Sequence, residues 1–367
     1  MLTKMQKQIF KIFFFLAVFF MLPNFSQAAI IFEDNFDSRD DWSVPYNDLD
    51  QTCNREVGCT DVPDGYYGYY ISHSVITPAT GNGLHLDNIN KRGNSGKGVT
   101  FWDQTDGTGN WASGMQIGLD FPPQNEIYVQ YWIKMQPNYS YYKGTYASML
   151  RKMNHISHYL YNGKPFTFFS DGGFFPTTVN QIRFANAGNA NIQNFFFIRP
   201  DPSYSGTQPV PIITRGIKDS TNTGIYNYFD LPSDGLPIGN WEGTGTEYNS
   251  LGMFADGQWH LLGYYLKNNS APGVADGTYK FWYDGNIQID ATGFMFREAS
   301  STLPDDIWNF LHIGGNAINP FLGAGISGEQ WYAVDDVAVS TEYLGPDYII
   351  GSLDATAPAS PSGLSVE

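Results

Sequence analysis

The run Asp256-Gly257-Gln258-Trp259-His260, Leu261 to Lys267, Asp276-Gly277 and Tyr279-Lys280-Phe281-Trp282-Tyr283-Asp284-Gly285 decides the fold. It reads as two antiparallel strands. A Gly-containing turn precedes each, and the second ends in Trp-Tyr-Asp-Gly. In the first strand, His260, Leu262, Tyr264 and Leu266 fall on one side, and Trp259, Leu261, Gly263, Tyr265 and Lys267 on the other. The segment Glu126–Met135 splits the same way. Ile127, Val129, Tyr131, Ile133 and Met135 form an apolar face. Tyr128, Gln130, Trp132 and Lys134 form an amphipathic one. A period of two with one apolar face is the mark of a half-buried strand. The first set of each strand is expected between two sheets and the second set outside. A slip of one residue would exchange them.

Further segments extend the pattern. Ile30–Asp37 opens as a strand and turn; Leu84–Leu86 and Gly98–Trp102 are short strands; Trp331–Ser340 is the last. Residues 137–250 are loop-rich and read as a possible insertion, with strands expected only near Thr145–Met153 and Asn194–Ile198. The stretch Pro200–Gly245 is dense in Pro, Gly, Asn, Ser and Thr. Aromatic residues make up 16% of the chain, Gly and Pro are abundant, and helical periodicity is almost absent after residue 29. These features point to an all-β domain rich in turns.

Residues 1–29 read as a signal peptide. Lys4, Lys7 and Lys11 precede the apolar run Ile12–Leu22, and Ser26-Gln27-Ala28 offers a small-x-small cleavage site. The run is short for a membrane span. A secreted or extracellular protein is expected, with the periplasm or cell surface as other destinations. The formal charge of −16 becomes more negative once those lysines are removed. So acidic a chain is a poor partner for nucleic acid or anionic membranes. It also argues against a strongly anionic substrate, unless a local basic cleft overrides the global field. Cys53 and Cys59 are the only cysteines. Export favours a local disulfide between them; free thiols or a metal pair are the alternatives.

The 256–285 pattern and the closing Trp331-Tyr332-Ala333-Val334-Asp335-Asp336-Val337-Ala338-Val339-Ser340 resemble the concanavalin A-like lectin/glucanase (laminin-G-like) jelly rolls, including their polysaccharide lyase-like members. The resemblance covers the ends of the domain and the 126–135 and 256–290 segments, and covers 137–250 badly. It implies an antiparallel two-sheet jelly-roll sandwich with long loops over residues 30–348, facing polysaccharide with a concave sheet. It also implies a structural calcium ion where the first and last strands meet, with Glu33 and Asp336 as ligands and Asp34 and Asp335 behind them. Residues 349–367 resemble a linker entering the first strand of a fibronectin type III module; a plain tail is the other reading.

Three functions follow from the resemblance. The first is a monomeric polysaccharide-binding protein using Tyr128, Gln130, Trp132, Tyr265, Lys267 and Trp282, with aromatic faces stacking on sugar rings. The second is a polysaccharide lyase acting on a uronate-containing glycan, with Arg151, His155, His158, Tyr265 and Lys134 supplying charge neutralisation and proton transfer. The third is a non-catalytic adhesion or structural sandwich. The Glu-x-Asp-x-x-Glu strand of the β-glucan hydrolases of this fold is absent. Also absent are the Arg-x-Glu-x-Arg and Gln-Ile-His strands of the best-known alginate lyases, of which Gln181-Ile182-Arg183 is a partial echo.

Overall fold

The computed structural model describes residues 29–45, 51–55, 58–59, 61–71, 82–105, 111–137, 141–142, 149–160, 174–184, 192–199, 209–215, 217–218, 224–228, 247–248, 257–318 and 328–351. The expected signal peptide up to Ala28, most of the 200–245 stretch and the tail from Ser352 lie outside them. The described residues form two antiparallel sheets packed as a jelly-roll sandwich and contain no α-helix.

The ten-stranded sheet runs in the order Ile212–Arg215, Asn286–Phe294, Gly277–Tyr283, Trp259–Lys267, Glu126–Met135, Gly328–Ser340, Gly98–Thr105, Asn82–Asp87, Trp42–Pro45, with Ile30–Asp34 pairing on Gly328–Ser340. The nine-stranded sheet runs Ile217–Lys218, Gly224–Tyr228, Ile192–Arg199, Phe174–Phe184, Met149–Tyr159, Trp308–Ile318, Trp111–Gln124, Gly68–Ile71, Gln51–Asn54. Three long strands between Met149 and Arg199 thus form the middle of a sheet; Met149–Tyr159 and Ile192–Arg199 fall where strands were expected, and Phe174–Phe184 lies where the sequence suggested loop or insertion. The first and last strands of the domain lie side by side. Ala29 donates its backbone N–H to Thr341 Oγ1 at 3.1 Å, and Thr341 donates to the Ala29 carbonyl at 3.1 Å.

The expected register holds. Ile127, Val129, Tyr131, Ile133, Met135, Leu262, Tyr264 and Leu266 are buried in the core. Trp132 is half-buried on the other side. His260 departs from the expectation. It is half-buried at the strand's start, 2.8 Å from the Asp284 carboxylate and stacked on Tyr283.

The core also holds a polar chain joining the sheets. Asn154 donates to the Tyr131 hydroxyl at 2.9 Å, Asn180 donates to Asn154 Oδ1 at 2.6 Å, and Tyr279 donates to Asn180 Oδ1 at 2.5 Å. Tyr131 in turn donates to the Met153 carbonyl. Every link satisfies a buried polar atom that would otherwise be costly. The chain ties Glu126–Met135 and Gly277–Tyr283 of one sheet to Met149–Tyr159 and Phe174–Phe184 of the other.

Candidate functional site

On the nine-stranded sheet, Met115, Ile117, Leu119, Phe121, Ile156, Leu311 and Ile313 point into the core. Their alternates Gln116, Gly118, Asp120, His155, Ser157, Phe310 and His312 therefore occupy the outward face. Tyr67, Tyr159 and Phe310 pack there as a small cluster separate from the core, with Tyr70 against it.

Strand register sets these side chains in rows. One row reads Gly68, Gly118, His312, His155, Val179. The next reads Asp120, Phe310, Ser157, Thr177. On the other side of the histidine row, Gln116 stands across from Tyr70 and Gly314. The His155 and His312 rings lie 5.9 Å apart at 66°, and Phe310 is 4.6 Å from His312. The Tyr67 and Tyr159 hydroxyls are 2.9 Å apart, and the Ser157 and Thr177 hydroxyls 2.5 Å. Gln116 is fully buried, and among the described residues its amide has no hydrogen-bond partner. Lys152, also buried, stands across from Gln181. Burial pushes the His312 imidazole down to about 3, so it is neutral at any ordinary pH.

Charge is segregated between the sheets. The strands of the nine-stranded sheet carry Arg151, Lys152, Arg183, Arg199 and Lys218 against one acid, Asp120. That acid is paired with Arg55, whose guanidinium also lies over Tyr67. The strands of the ten-stranded sheet carry Lys134, Arg215, Lys267 and Lys280 against nine acids, among them Glu33, Asp34, Asp335 and Asp336.

The residues expected in a lyase site do not come together. Arg151, His155 and His158 belong to the nine-stranded sheet, and Lys134 and Tyr265 to the ten-stranded one. Period-two reading assigns a face within a strand but not the sheet to which a strand belongs. Even on one strand the set divides. His155 is on the outward face, whereas His158 uses Nδ1–H to donate to the Ile307 carbonyl at 2.8 Å, with its pKa lowered by burial. Arg151 lies between Ile182 and Ala317 in register. The residues of this face that sequence reading did not single out are Gln116, His312 and Tyr67; Tyr159 closes the Arg151–Tyr159 segment in which such groups were expected. The alternation of Met115, Ile117, Leu119 and Phe121 around Gln116 was a readable signal.

The expected binding platform is divided by the C-terminal segment. Tyr343 stacks on Trp282 at 5.0 Å and lies 6.3 Å from Tyr128. Gln130 is buried and spends its amide on Gly345, accepting from its N–H at 3.1 Å and donating to its carbonyl at 3.4 Å. These two bonds pin the C-terminal segment to the strand on the side where Gln130 was expected to meet sugar. Tyr265 donates to Glu126 at 2.5 Å and stacks on Tyr128 at 4.5 Å, while Lys267 approaches the same carboxylate at 3.7 Å.

The expected calcium ligands are engaged with other partners. Glu33 accepts from the Tyr348 hydroxyl and Asp336 is paired with Arg92. Asp335 accepts the backbone N–H groups of Arg92 and Asp336, each at 2.8 Å, and Asp34 is paired with Arg39 at 2.7 Å. Among the described residues no group of three or more His, Cys, Asp or Glu side chains could hold a metal ion. Cys53 and Cys59 are joined in a disulfide with a Cα–Cα distance of 5.4 Å. The bridge sits beside the histidine face, since Asn54 pairs with Gly68.

No family model and no curated protein matches the chain. Solved structures similar to it include the alginate lyase vAL-1 from Chlorella virus, at 10% identity and TM-score 0.38, covering 70% of this chain and 90% of that one. The endo-1,3-beta-glucanase from Streptomyces sioyaensis is similar at 15% identity and TM-score 0.39, covering 86% and 96%. The PL-14 alginate lyase from Aplysia kurodai is similar at 9% identity and TM-score 0.36, covering 70% and 86%. These likenesses are distant, and the fold stands on the strand order above.

Proposed function

We propose that this is an exported polysaccharide lyase that cleaves a uronate-containing glycan on the outward face of the nine-stranded sheet. The observation that carries the reading is the charge segregation: on an acidic protein, this sheet's strands hold five basic residues and one acid, and that acid is neutralised by Arg55. On an acidic protein, strands with a basic excess are the ones that suit an anionic glycan. Hydrolysis by a carboxylate pair has no support here, because these strands offer no second acid.

Elimination asks for three things. The sugar carboxylate must be relieved of charge so that the C5 proton becomes acidic. A base takes that proton. As the C4–O bond breaks, the leaving oxygen takes a proton, and a C4–C5 double bond remains. The Gln116 amide and the neutral His312 imidazole are suited to donating hydrogen bonds to the carboxylate. His155 and the Tyr67–Tyr159 hydroxyl pair are suited to the two proton transfers.

The test is ultraviolet absorbance of unsaturated product from polymannuronate, polyguluronate, pectate and glycosaminoglycans. Product from one of them that is lost in His155→Ala supports the reading. Binding to one of them without product from any would leave a binding protein, and neither binding nor product would reject both.

A further inference from the structure

The opposite sheet carries a second surface. Core burial of Phe101, Tyr131, Ile133 and Tyr332 places Trp102, Trp132, Lys134 and Trp331 on the outward face of the ten-stranded sheet. Trp331 pairs with Trp102, and Ala333 stands between Lys134 and Thr100. Tyr343 and Gly345 of the C-terminal segment contact Tyr128, Gln130 and Trp282, elsewhere on this face.

Two features mark this patch as built to hold something. The first is the way the rings lie. Ala333 has only a methyl group and an outward position, yet it is fully buried, while Trp102, Trp132 and Trp331 are half-buried. Indoles lying down over small residues account for both facts, and a ring that lies down shows one flat face to solvent. The Arg92 guanidinium lies 3.9 Å from the Trp132 ring centre and Lys134 Nζ 5.9 Å from that of Trp331.

The second feature is an unmatched polar pair. His85 is 7% exposed and stacks on Trp102, with ring centroids 6.4 Å apart. Its Nε2 faces the Asp87 carboxylate at 3.3 Å, which makes Nε2 the protonated nitrogen and Nδ1 an acceptor. Burial lowers its pKa, with Asp87 opposing, and keeps the ring neutral. Among the described residues Nδ1 has no hydrogen-bond partner, and neither has the Trp102 Nε1–H donor. An idle acceptor and an idle donor on two stacked rings are together the complement of a hydroxyl group, which both donates and accepts.

We propose that this patch binds a neutral polysaccharide chain, stacking a sugar ring on Trp331, beside the Trp132 ring that Arg92 already covers, and receiving a hydroxyl between His85 and Trp102. Charge decides the class. Acids predominate on the strands of this sheet, and Arg92 is committed to Asp336 and Trp132. That leaves no basic excess to hold an anionic chain. Flat indoles and a hydroxyl-sized polar pair suit the C–H faces and rims of uncharged sugars. The surface is separate from the histidine face, so the protein would grip one glycan and cut another.

Affinity electrophoresis of the mature protein in barley β-glucan, galactomannan and polymannuronate tests this. Retardation by a neutral glycan is expected. It should weaken roughly five- to tenfold in Trp331→Ala, as for loss of one stacking ring, and less in Trp331→Phe. Trp102→Phe, which keeps a ring and removes the N–H, should also weaken it. Polymannuronate retardation and product formation should be unchanged in all three. Tryptophan fluorescence of the unaltered protein should shift on adding the neutral glycan, which keeps the test open if an alanine variant fails to fold. No retardation and no fluorescence shift with either neutral glycan would overturn the proposal. So would equal weakening toward polymannuronate. An unchanged Trp102→Phe would overturn the hydroxyl contact and leave the polar pair to an ordered water. Product formation reads the histidine face alone, so the two proposals fail separately.

Discussion

The two sheets share one core and differ in what they turn outward. The nine-stranded sheet shows buried His, Gln, Tyr and hydroxyl groups on strands with a basic excess. The ten-stranded sheet shows mainly half-buried rings, with His85 and Gln130 as buried polar groups among them, on strands with an acidic excess, and is partly covered by the chain's own Tyr343. Burying polar groups on an outward face costs free energy that packing does not return. Stacking rings on one another is nearly self-sufficient. The first sheet is therefore where chemistry is proposed, and the second where surface is held or used.

The largest effect that would break this contrast concerns turnover. His155→Ala and Tyr159→Phe should each lower product formation by about 10²- to 10⁴-fold, the usual range for a positioned proton-transfer group. Tyr265→Phe and Lys267→Ala, on the other sheet, should leave it intact. The reverse pattern, measured by initial rates, would move the chemistry to the ten-stranded sheet.

A middle-sized effect concerns the polar chain between the sheets. Asn180→Ala would remove the acceptor of the Tyr279 hydroxyl and the donor to Asn154 Oδ1, and should destabilise the fold by about 1–3 kcal/mol in urea melts. A loss below about 0.5 kcal/mol would show that water replaces the link. The disulfide is comparable. Cys53→Ala with Cys59→Ala should cost about 2 kcal/mol by the loop-closure argument for so short a loop. It should also loosen the Asn54–Gly68 edge of the histidine face.

The pH response separates the sheets by sign. His312 binds a proton less readily folded than unfolded. Its neutral form therefore favours the fold above about pH 6.5, and that contribution is lost as the pH falls toward 3. Asp335, on the other sheet, is pushed up to about 8 by burial, with Asp336 and Asp37 acting in the same direction and backbone N–H groups against. Its protonated form favours the fold below about pH 4, and that contribution is lost as the pH rises through 8. Thermal melts across pH should show His312→Gln flattening the acid side and Asp335→Asn the alkaline side. Curves unchanged in either variant would mean that water reaches that group. The smallest effect expected is that of a chelator. Arg92 and Arg39 already occupy Asp336 and Asp34, so melting should be unchanged. A fall in melting temperature on chelation would support the expected calcium at the first and last strands.

The strands 126–135 and 259–283 were legible because each has one apolar face in period two. Phe174–Phe184 was not, for a physical reason. Its core side carries Thr178 and Asn180, which are satisfied by the Ile156 carbonyl, Asn154 and Tyr279, while Val179 takes the outward side across from His155. Polarity is inverted, and alternation alone reads such a strand as irregular. Asn154 does the same to its neighbour. The site was half legible. His155 stood out by type. Gln116 and His312 sit singly within apolar strands, where nothing local says which face they share or that the sheet order brings His312 beside His155.

The paired hydrogen bonds between Ala29 and Thr341 bring the first strand to the end of the last, and the Tyr348 hydroxyl on Glu33 keeps the docked segment beyond it at the same place. Such a unit is a cassette. A linker from Gly351 back to Ala29, which keeps Tyr343, Gly345 and Tyr348 docked, with new ends opened at the Asp284-Gly285 turn, should fold to the same sandwich. The whole could equally be set into a surface loop of a host protein without prying that loop apart.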